Sequence, residues 1–197
     1  MRAAAEAVGD QDPACCGIDE VGRGALAGPL VAAAVVLREG FRNPLLRDSK
    51  LLSPAQRERV EPAIREAAVV LEVVAVPPEL IDRHGVGWAN RWAFEQLMEL
   101  VPAPLFLLDG NLRLSSAKPH RCLVGGDALV PAISAASIVA KVYRDRLMKA
   151  LHPQYPAYGW ERNKGYGSQE HREALLSLGP TPHHRRSFLH LEPELLF

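Results

Sequence analysis

Acidic side chains stand at three places in the sequence where a short apolar segment gives way to glycine. These carboxylates are Asp19, Glu20, Asp109 and Asp127. Ligand sites of α/β proteins form where strands end, so we expect the four groups to converge on one site. An isolated Asp beside a glycine usually forms a turn, but three such positions in one small chain favour a shared chemical role.

A cluster of four carboxylates needs positive charge near it. Two unit charges about 4 Å apart repel by about 4 kcal/mol at an effective dielectric constant near 20, so the groups need raised pKa values or a bound cation. Carboxylate oxygens favour a hard divalent ion, Mg²⁺ or Mn²⁺, over zinc. Because adjacent strand residues face opposite sides, we favour Asp19 over Glu20 as a direct ligand unless the strand bends near Gly22 and Gly24.

The segment from Gly22 to Gly28 (GRGALAG) contains three closely spaced glycines. It matches a dinucleotide-binding turn only superficially, because such a turn needs a helix N-terminus, whereas Pro29 and an apolar, strand-like segment follow here. Two interpretations remain. The glycines let the backbone approach a nucleic-acid strand closely, or they form a bulge between two strands.

The segment from Pro131 to about Leu151 predicts the longest helix, with one apolar and one polar face. The polar face holds Ser134, Ser137, Lys141, Arg144 and Asp145. Such a face is usually solvated, but here it begins only seven residues after Asp127. This proximity favours phosphate binding by Lys141 and Arg144 as the competing interpretation.

Hydrophobic periodicity and turn residues predict a mixed α/β sheet. The predicted strands cover 15–21, 30–37, 69–76, 105–108 and 121–124, and the predicted helices cover 54–67, 87–101 and 131–151. Residues 1–13 are expected to form a loose tail. The segment 152–197 gathers histidines, arginines and aromatic residues, and this concentration of cations near one end of a neutral chain is a first indication of function.

Composition excludes several classes of protein. The 197 residues carry 23 basic and 23 acidic side chains, and 48% are hydrophobic, which is typical of a globular chain rather than a disordered or coiled-coil one. The three cysteines predict neither a disulfide framework nor a zinc site. The N-terminus lacks the apolar core of a signal peptide, so the sequence predicts a cytoplasmic protein.

Six motifs, in order along nearly the whole chain, resemble the type 2 ribonucleases H, in particular the bacterial ribonuclease HII family. They are GIDEVGRG (17–24), DSKLLS (48–53), LLDGN (107–111), GGDALVPAISAASIVAKVYRD (125–145), NKGYGS (163–168) and HHRRSF (183–188). The resemblance implies a ribonuclease H-like mixed β-sheet flanked by helices, with a helical C-terminal extension. Residues 14–151 would form the catalytic core, and 152–197 would be the helical extension that packs on it and binds substrate. It also implies endonucleolytic cleavage of RNA in RNA–DNA hybrids and at single ribonucleotides in duplex DNA, as in ribonucleotide excision repair.

The resemblance also implies roles for individual residues. The four carboxylates named above would be the catalytic metal ligands, holding two Mn²⁺ or Mg²⁺ ions, and cleavage would leave 5′-phosphate and 3′-hydroxyl ends. The residues implied or predicted to bind substrate are Gly22, Arg23, Gly24, Lys50, Ser137, Lys141, Arg144 and Tyr166. Of these, the glycine-motif backbone would contact the ribose 2′-OH, and Tyr166 would stack on the deoxyribose 3′ to the ribonucleotide.

Two features depart from the family pattern. Gly125 stands where many relatives have Lys, which removes a cation near the metals and predicts altered metal affinity rather than lost activity. The helical segment from Trp88 to Leu100 is unusually rich in tryptophan for the family, and the sequence offers no function for it. The protein is expected to be a monomer.

Three further interpretations stay open. A nicotinamide-dependent oxidoreductase depends on the glycine spacing alone, and a non-catalytic hybrid-binding protein depends on the cationic, aromatic C-terminal third. The C-terminal residues Glu192 to Phe197 (EPELLF) loosely resemble tails that bind bacterial sliding clamps. The alternative for this tail is that its Leu-Leu-Phe end packs on the body of the protein.

Overall fold

The computed structural model describes residues 15–46 and 52–189. Its centre is a five-stranded mixed sheet in the order β3-β2-β1-β4-β5. The strands are β1 (Cys16–Val21), β2 (Leu30–Leu37), β3 (Ala68–Val76), β4 (Phe106–Asp109) and β5 (His120–Leu123). The β1–β2 and β2–β3 pairs are antiparallel, and the β1–β4 and β4–β5 pairs are parallel. The predicted mixed sheet is therefore confirmed.

Six α-helices surround the sheet in the described part of the chain. They are α1 (Pro54–Ala67), α2 (Pro78–His84), α3 (Val86–Leu100), α4 (Pro131–Leu151), α5 (Trp160–Asn163) and α6 (Gln169–Leu178). Helix α1 begins with a capping box, in which Ser53 and Gln56 each accept a hydrogen bond from the other's backbone N–H, a pattern that stabilises a helix start. Ser53-Pro54 in the sequence predicts this boundary.

The two faces of the sheet bury separate apolar clusters. Ile18 and Ala32 pack on the face covered by α3, whereas Val31 and Ala33 pack on the face covered by α4 and α1. Helix α4 lies so close to β1 that a Cβ added at Gly17 would be 2.1 Å from the Ala132 carbonyl carbon. This approach sets the distance between α4 and the end of β1.

The predicted element bounds agree with the structure for β2, α1 and α4 and differ by one residue for β1, β3, β4, β5 and α3. The sequence analysis missed α2, because Pro77-Pro78 indicated only the end of a strand. Pro78 instead occupies the first turn of a helix, where the missing N–H of proline costs nothing. No helix in 15–46 or 52–189 has both the length and the apolar character needed to cross a membrane.

Candidate active site

Asp19 and Glu20 lie near the end of β1 and leave the strand on opposite faces. Asp19 is paired with Ala33 and Glu20 with Ala32, so Asp19 faces α4 and Glu20 faces α3. Both carboxylates nevertheless line one pocket together with Asp109, which ends the neighbouring parallel strand β4. The end of the sheet thus brings together side chains that start from different faces.

The pocket has a volume of about 380 Å³. Its lining residues are Asp19, Glu20, Val21, Arg57, Asp109, Ser137, Ile138 and Lys141. Three carboxylates, two cationic side chains and one hydroxyl therefore share a small volume. Ser137 and Lys141, predicted from the polar face of α4, are both among them.

Asp19 is the most strongly perturbed acid of the pocket. Its side chain is only 4% exposed, and burial raises its pKa to about 8, with the neighbouring charges of Glu20 and Asp109 adding to the rise. Hydrogen bonds from Ser137 and from the Glu20 N–H (2.7 Å) oppose this rise but do not cancel it. An ionised Asp19 is therefore costly here unless a cation is close.

Glu20 is held between cationic and neutral donors. Burial raises its pKa, while Arg23, whose Nη1 lies 3.5 Å from Oε1, lowers it. The Asn90 side chain on α3 also donates a hydrogen bond to this carboxylate. Asn90 is 1% exposed, so it holds Glu20 from the side of the sheet opposite to Asp19.

Asp127 is joined to the site through Asp109. The Gly126 N–H donates to Asp109 Oδ1 at 2.8 Å, and Asp127 follows in a short 3₁₀ turn, 2% exposed. Asp127 is not among the residues that line the pocket. Across residues 15–46 and 52–189, no three acidic, histidine or cysteine side chains already form a group that could hold a metal ion.

The donor chemistry of the pocket nevertheless fits hard divalent cations. Its anionic groups are carboxylates without sulfur or imidazole, which suits Mg²⁺ or Mn²⁺. Burial is the main cause of the raised pKa of Asp19, and a cation bound beside this carboxylate would favour its ionised form.

The glycine motif after β1 is fixed by buried arginines. Arg185 donates from Nη1 to the Arg23 carbonyl (2.9 Å) and from Nε to the Gly28 carbonyl (3.0 Å). Gly22 has φ +91°, and a Cβ there would be 2.4 Å from Arg144 Nε. Only glycine combines this backbone conformation with so close a neighbour, which identifies a rigid turn rather than a simple bulge.

Arg144 corrects one prediction. Its side chain is 0% exposed, and its guanidinium donates to the carbonyls of Pro29 (2.9 Å), Ala27 (2.9 Å) and Lys164 (2.8 Å). This contradicts the expectation that Arg144 lies on a solvent-facing stripe and contacts a phosphate. Ser134 and Asp145, assigned to the same stripe, are also buried. The Ser134 hydroxyl donates to the Leu46 carbonyl, and Asp145 pairs with Lys141.

Tyr166 lies beside the pocket and stays accessible, with 36% of its surface exposed. Lys141 Nζ lies 5.9 Å and Arg144 Cζ 5.3 Å from the centre of its ring. Its carbonyl oxygen accepts a hydrogen bond from His171 Nδ1 at 2.9 Å, which fixes the backbone beneath the ring. Lys50, the remaining predicted substrate residue, lies outside the described residues, as do the tails 1–13 and 192–197.

Four residues of the site carry no clear signal in the sequence. Arg57 lines the pocket from α1, Asn90 contacts Glu20 from α3, and Arg185 and His171 fix the glycine motif and Tyr166. Only Arg185 lies within a motif that the sequence analysis singled out. Arg57 and Asn90 come from helices distant in sequence from the carboxylates, so their proximity to the site arises only on folding. His171 lies five residues after Tyr166, on the helix that follows it.

A family model described as ribonuclease HII matches residues 16–100 and 114–191. The chain belongs to the ribonuclease HII family. The ribonuclease HII of Porphyromonas gingivalis (strain ATCC BAA-308 / W83) is 45% identical over 183 residues, which are 91% of this chain and 90% of that protein. This makes the protein a metal-dependent ribonuclease H that acts on RNA–DNA hybrids. The family assignment argues against both the oxidoreductase and the non-catalytic binding protein.

Solved structures of ribonucleases H2 and HII share the fold. The ribonuclease H2 from Pyrococcus horikoshii OT3 matches with a TM-score of 0.73 and 26% identity, over 88% of this chain and 92% of that chain. A chain in the PCNA:RNase HII complex from Archaeoglobus fulgidus matches with a TM-score of 0.77 and 24% identity, over 91% of this chain and 96% of that one. In this chain the apolar segment that follows the glycine motif forms strand β2, as the sequence predicted.

Proposed function

We propose that this ribonuclease HII cleaves RNA strands endonucleolytically both within hybrids and at single ribonucleotides embedded in duplex DNA. Cleavage would leave 5′-phosphate and 3′-hydroxyl ends and begin ribonucleotide excision repair. One observation carries the proposal: Asp19, Glu20 and Asp109 line one small pocket at the end of two parallel strands. A pocket lined by carboxylates that can hold two divalent ions suits phosphodiester hydrolysis by in-line displacement.

The four predicted acids would hold the metal ions. Asp19, Glu20 and Asp109 would bind from the ends of the strands, and Asp127 from the turn that hydrogen-bonds Asp109. When bound, two Mg²⁺ or Mn²⁺ ions supply water activation and neutralise charge on the leaving 3′ oxygen. Ser137 donates to Asp19 and would keep its carboxylate oriented.

Lys141 is the cation best placed for the substrate phosphate. It lines the pocket, and its Nζ lies 2.7 Å from Asp145 Oδ1. This ion pair directs the ammonium group while two of its three protons remain for a phosphate oxygen. Arg57 lines the same pocket and takes the phosphate-binding role that the sequence analysis gave to Arg144.

Recognition of RNA would come from the backbone of Gly22, Arg23 and Gly24. The 2′-OH is the group that distinguishes ribose from deoxyribose, so contact with it must be made by groups of fixed position. Nothing lies within 4 Å of a Cβ built at Gly24, which leaves room for a sugar there. Arg185 donates hydrogen bonds to the Arg23 carbonyl within this turn and to the Gly28 carbonyl after it, which keeps the turn rigid.

The C-terminal segment is proposed to be the substrate-binding part of the protein, packed on the core 14–151. Leu26 N and Ala27 N donate to the Gly165 carbonyl at 2.8 and 3.1 Å, and Arg185 N donates to the Leu26 carbonyl at 2.8 Å. These bonds join the glycine motif to the turn that carries Tyr166. The 2′-OH contact and the stacking ring would thus move as one unit.

The decisive experiment is nicking of a DNA duplex that contains one ribonucleotide. We expect incision with Mg²⁺ or Mn²⁺, no incision with EDTA, and a product that carries a 3′-hydroxyl extendable by a DNA polymerase. The same duplex without a ribonucleotide is the control. Incision of the all-DNA control, or incision that persists in EDTA, would contradict the proposal.

Substitution of Tyr166 should separate the two kinds of substrate. We expect Tyr166→Ala to lower kcat/KM for the single-ribonucleotide duplex by about 10- to 100-fold, because a stacking contact is worth about 1–3 kcal/mol. Long hybrids should lose less, since they offer many equivalent cleavage positions. Tyr166→Phe keeps the ring and should restore most of the rate. An equal loss on both substrates would instead indicate a purely structural tyrosine.

Sliding-clamp binding is proposed for the tail 192–197. A structural relative was solved as a complex with PCNA, and the sequence EPELLF resembles a clamp-binding tail. We expect deletion of Pro193–Phe197 to abolish pull-down by the bacterial clamp while leaving nicking of short duplexes unchanged. Pull-down that survives the deletion would refute this part of the proposal.

A further inference from the structure

Helices α2 and α3 carry an aromatic and basic surface that the active site does not use. Its members, hereafter the aromatic–basic surface, are Arg83, His84, Trp88, Arg91 and Trp92. The His84 ring lies 4.3 Å from the Trp88 ring, and Trp88 stacks on Trp92 with 5.8 Å between centroids and 20° between planes. The three rings therefore form a continuous ladder along the helices.

The ladder is partly open to solvent. The inner sides of Trp88 and Trp92 pack on the apolar cluster beneath α3, and both rings remain partly exposed, while His84 is exposed. Arg83 and Arg91 are exposed beside the ladder, and neither has an ion-pair partner in 15–46 or 52–189. Asp82, the residue before Arg83, accepts hydrogen bonds from the backbone N–H groups of Arg186 (2.9 Å) and Ser187 (3.0 Å) instead of pairing with an arginine of this surface. The surface thus offers partly exposed rings beside two arginines that form no ion pair within the described residues.

The topology places this surface at the same edge of the sheet as the active site. Val21, at the end of β1, pairs with Val31, and Val76, at the end of β3, pairs with Leu30. Strands β1 and β3, which flank β2, therefore end at the same edge of the sheet, and α2 begins shortly after β3. Helix α3 starts at this edge, which explains how Asn90 reaches Glu20. The three rings and the carboxylates therefore lie toward the same edge of the sheet.

We propose that the aromatic–basic surface is a second substrate contact, which binds the sugar–phosphate backbone of the duplex beyond the cleavage site. Arginines interleaved with partly exposed rings suit nucleic acid, because the cations neutralise phosphates and the rings pack on sugars or bases. A protein or lipid partner is less favoured, since the inner faces of the rings are already buried and the charges alternate with them. This inference rests on the proposed function and extends its binding site.

Tryptophan fluorescence gives a direct test. The chain has three tryptophans, and Trp160 is 0% exposed, so quenching by nucleic acid reports on Trp88 and Trp92. We expect a ribonucleotide-containing duplex with long flanks, added in EDTA, to quench the wild-type emission. A duplex trimmed on the side that reaches the surface should quench less. Equal quenching by both duplexes, or no quenching with a duplex that binds, would overturn the proposal.

Arginine variants test the same surface without touching the core. In Arg83→Gln/Arg91→Gln, the Kd for the long duplex should rise about tenfold, and the slope of log K against log salt should fall by about 2, one for each lost phosphate contact. The rate at saturating substrate should not change. Arg59→Gln, which removes an exposed arginine from α1, is the matched control and should leave Kd unchanged. An unchanged Kd in the double variant would refute the proposal that the aromatic–basic surface binds the duplex.

The two proposals fail in different ways. If the wild type incises the ribonucleotide duplex but neither the arginine variants nor trimming affects binding, the second contact is wrong and the nuclease function stands. If the wild type neither binds nor incises the duplex in Mg²⁺, the proposed function itself is wrong.

Trp88→Phe/Trp92→Phe is the control for the source of the fluorescence signal. This variant retains aromatic packing and should lose most of the quenching signal, while its melting temperature stays close to that of the wild type.

Discussion

Asp19→Asn is expected to abolish cleavage and at the same time to stabilise the metal-free protein. The wild-type carboxylate is 4% exposed, and burial raises its pKa to about 8, so its ionisation opposes folding at neutral and alkaline pH. Asparagine has nearly the same shape and keeps an oxygen that accepts from the Glu20 N–H, without the charge. We expect a gain of about 2 kcal/mol in unfolding free energy at pH 8.5 in EDTA. This gain is smaller than the free energy that corresponds to the full pKa shift of Asp19.

The pH dependence gives this prediction a definite sign. The folded-state pKa of Asp19 lies above its unfolded value, so wild-type stability falls as pH rises from about 4 through about 8. The stability of the variant does not fall in this way, because asparagine does not ionise. The difference in melting temperature between the variant and the wild type should therefore be near zero at pH 4 and largest above pH 8.

Metal ions should reverse the order of stability. An ion that binds only the folded state raises stability by mass action, so Mn²⁺ should stabilise the wild type much more than the variant. Thermal melts in EDTA and in Mn²⁺ measure the stability gain of the variant and its reversal by metal. Nicking assays on the same samples measure the loss of cleavage. A variant that is less stable than the wild type in EDTA at pH 8.5, or that still cleaves at a normal rate, would contradict the role given to Asp19.

Gly17→Ala is expected to be the most destabilising small substitution in the core. A Cβ at position 17 would lie 2.1 Å from the Ala132 carbonyl carbon and 2.3 Å from the Ile133 N. These neighbours are backbone atoms at the start of α4, so they cannot move aside as a flexible side chain could. We expect a loss of about 3 kcal/mol or more in unfolding free energy, at the upper end of the usual cost of overpacking.

Displacement of α4 would also affect the site, because Ser137 and Lys141 lie on that helix and line the pocket. Any folded Gly17→Ala protein should therefore show a lower kcat as well. Gly24→Ala is the matched control for stability, since nothing lies within 4 Å of a Cβ at that position. Urea denaturation of both variants measures the effect, and equal midpoints would show that the β1–α4 contact is looser than the structure indicates.

Local patterns sufficed for much of the fold. The apolar run of β2, the Ser53-Pro54 start of α1 and the long amphipathic α4 were predicted with the observed bounds, because propensity, capping and periodicity act over a few residues. Helix α2 was missed because a proline pair fits both the end of a strand and the start of a helix. The decision between them depends on packing against α3 and the 186–188 turn, which no short window contains.

The sequence by itself determined which chemistry this protein carries: carboxylates placed where strands end, a glycine motif after β1 and six family motifs in order. Only the tertiary structure decided which cations serve that chemistry. On a helical wheel Arg144 and Lys141 share a polar face, yet the C-terminal segment buries Arg144 against backbone carbonyls and leaves Lys141 in the pocket. Arg57 enters the same pocket from a helix remote in sequence. Burial and proximity depend on contacts between distant segments, and these contacts form only when the chain folds.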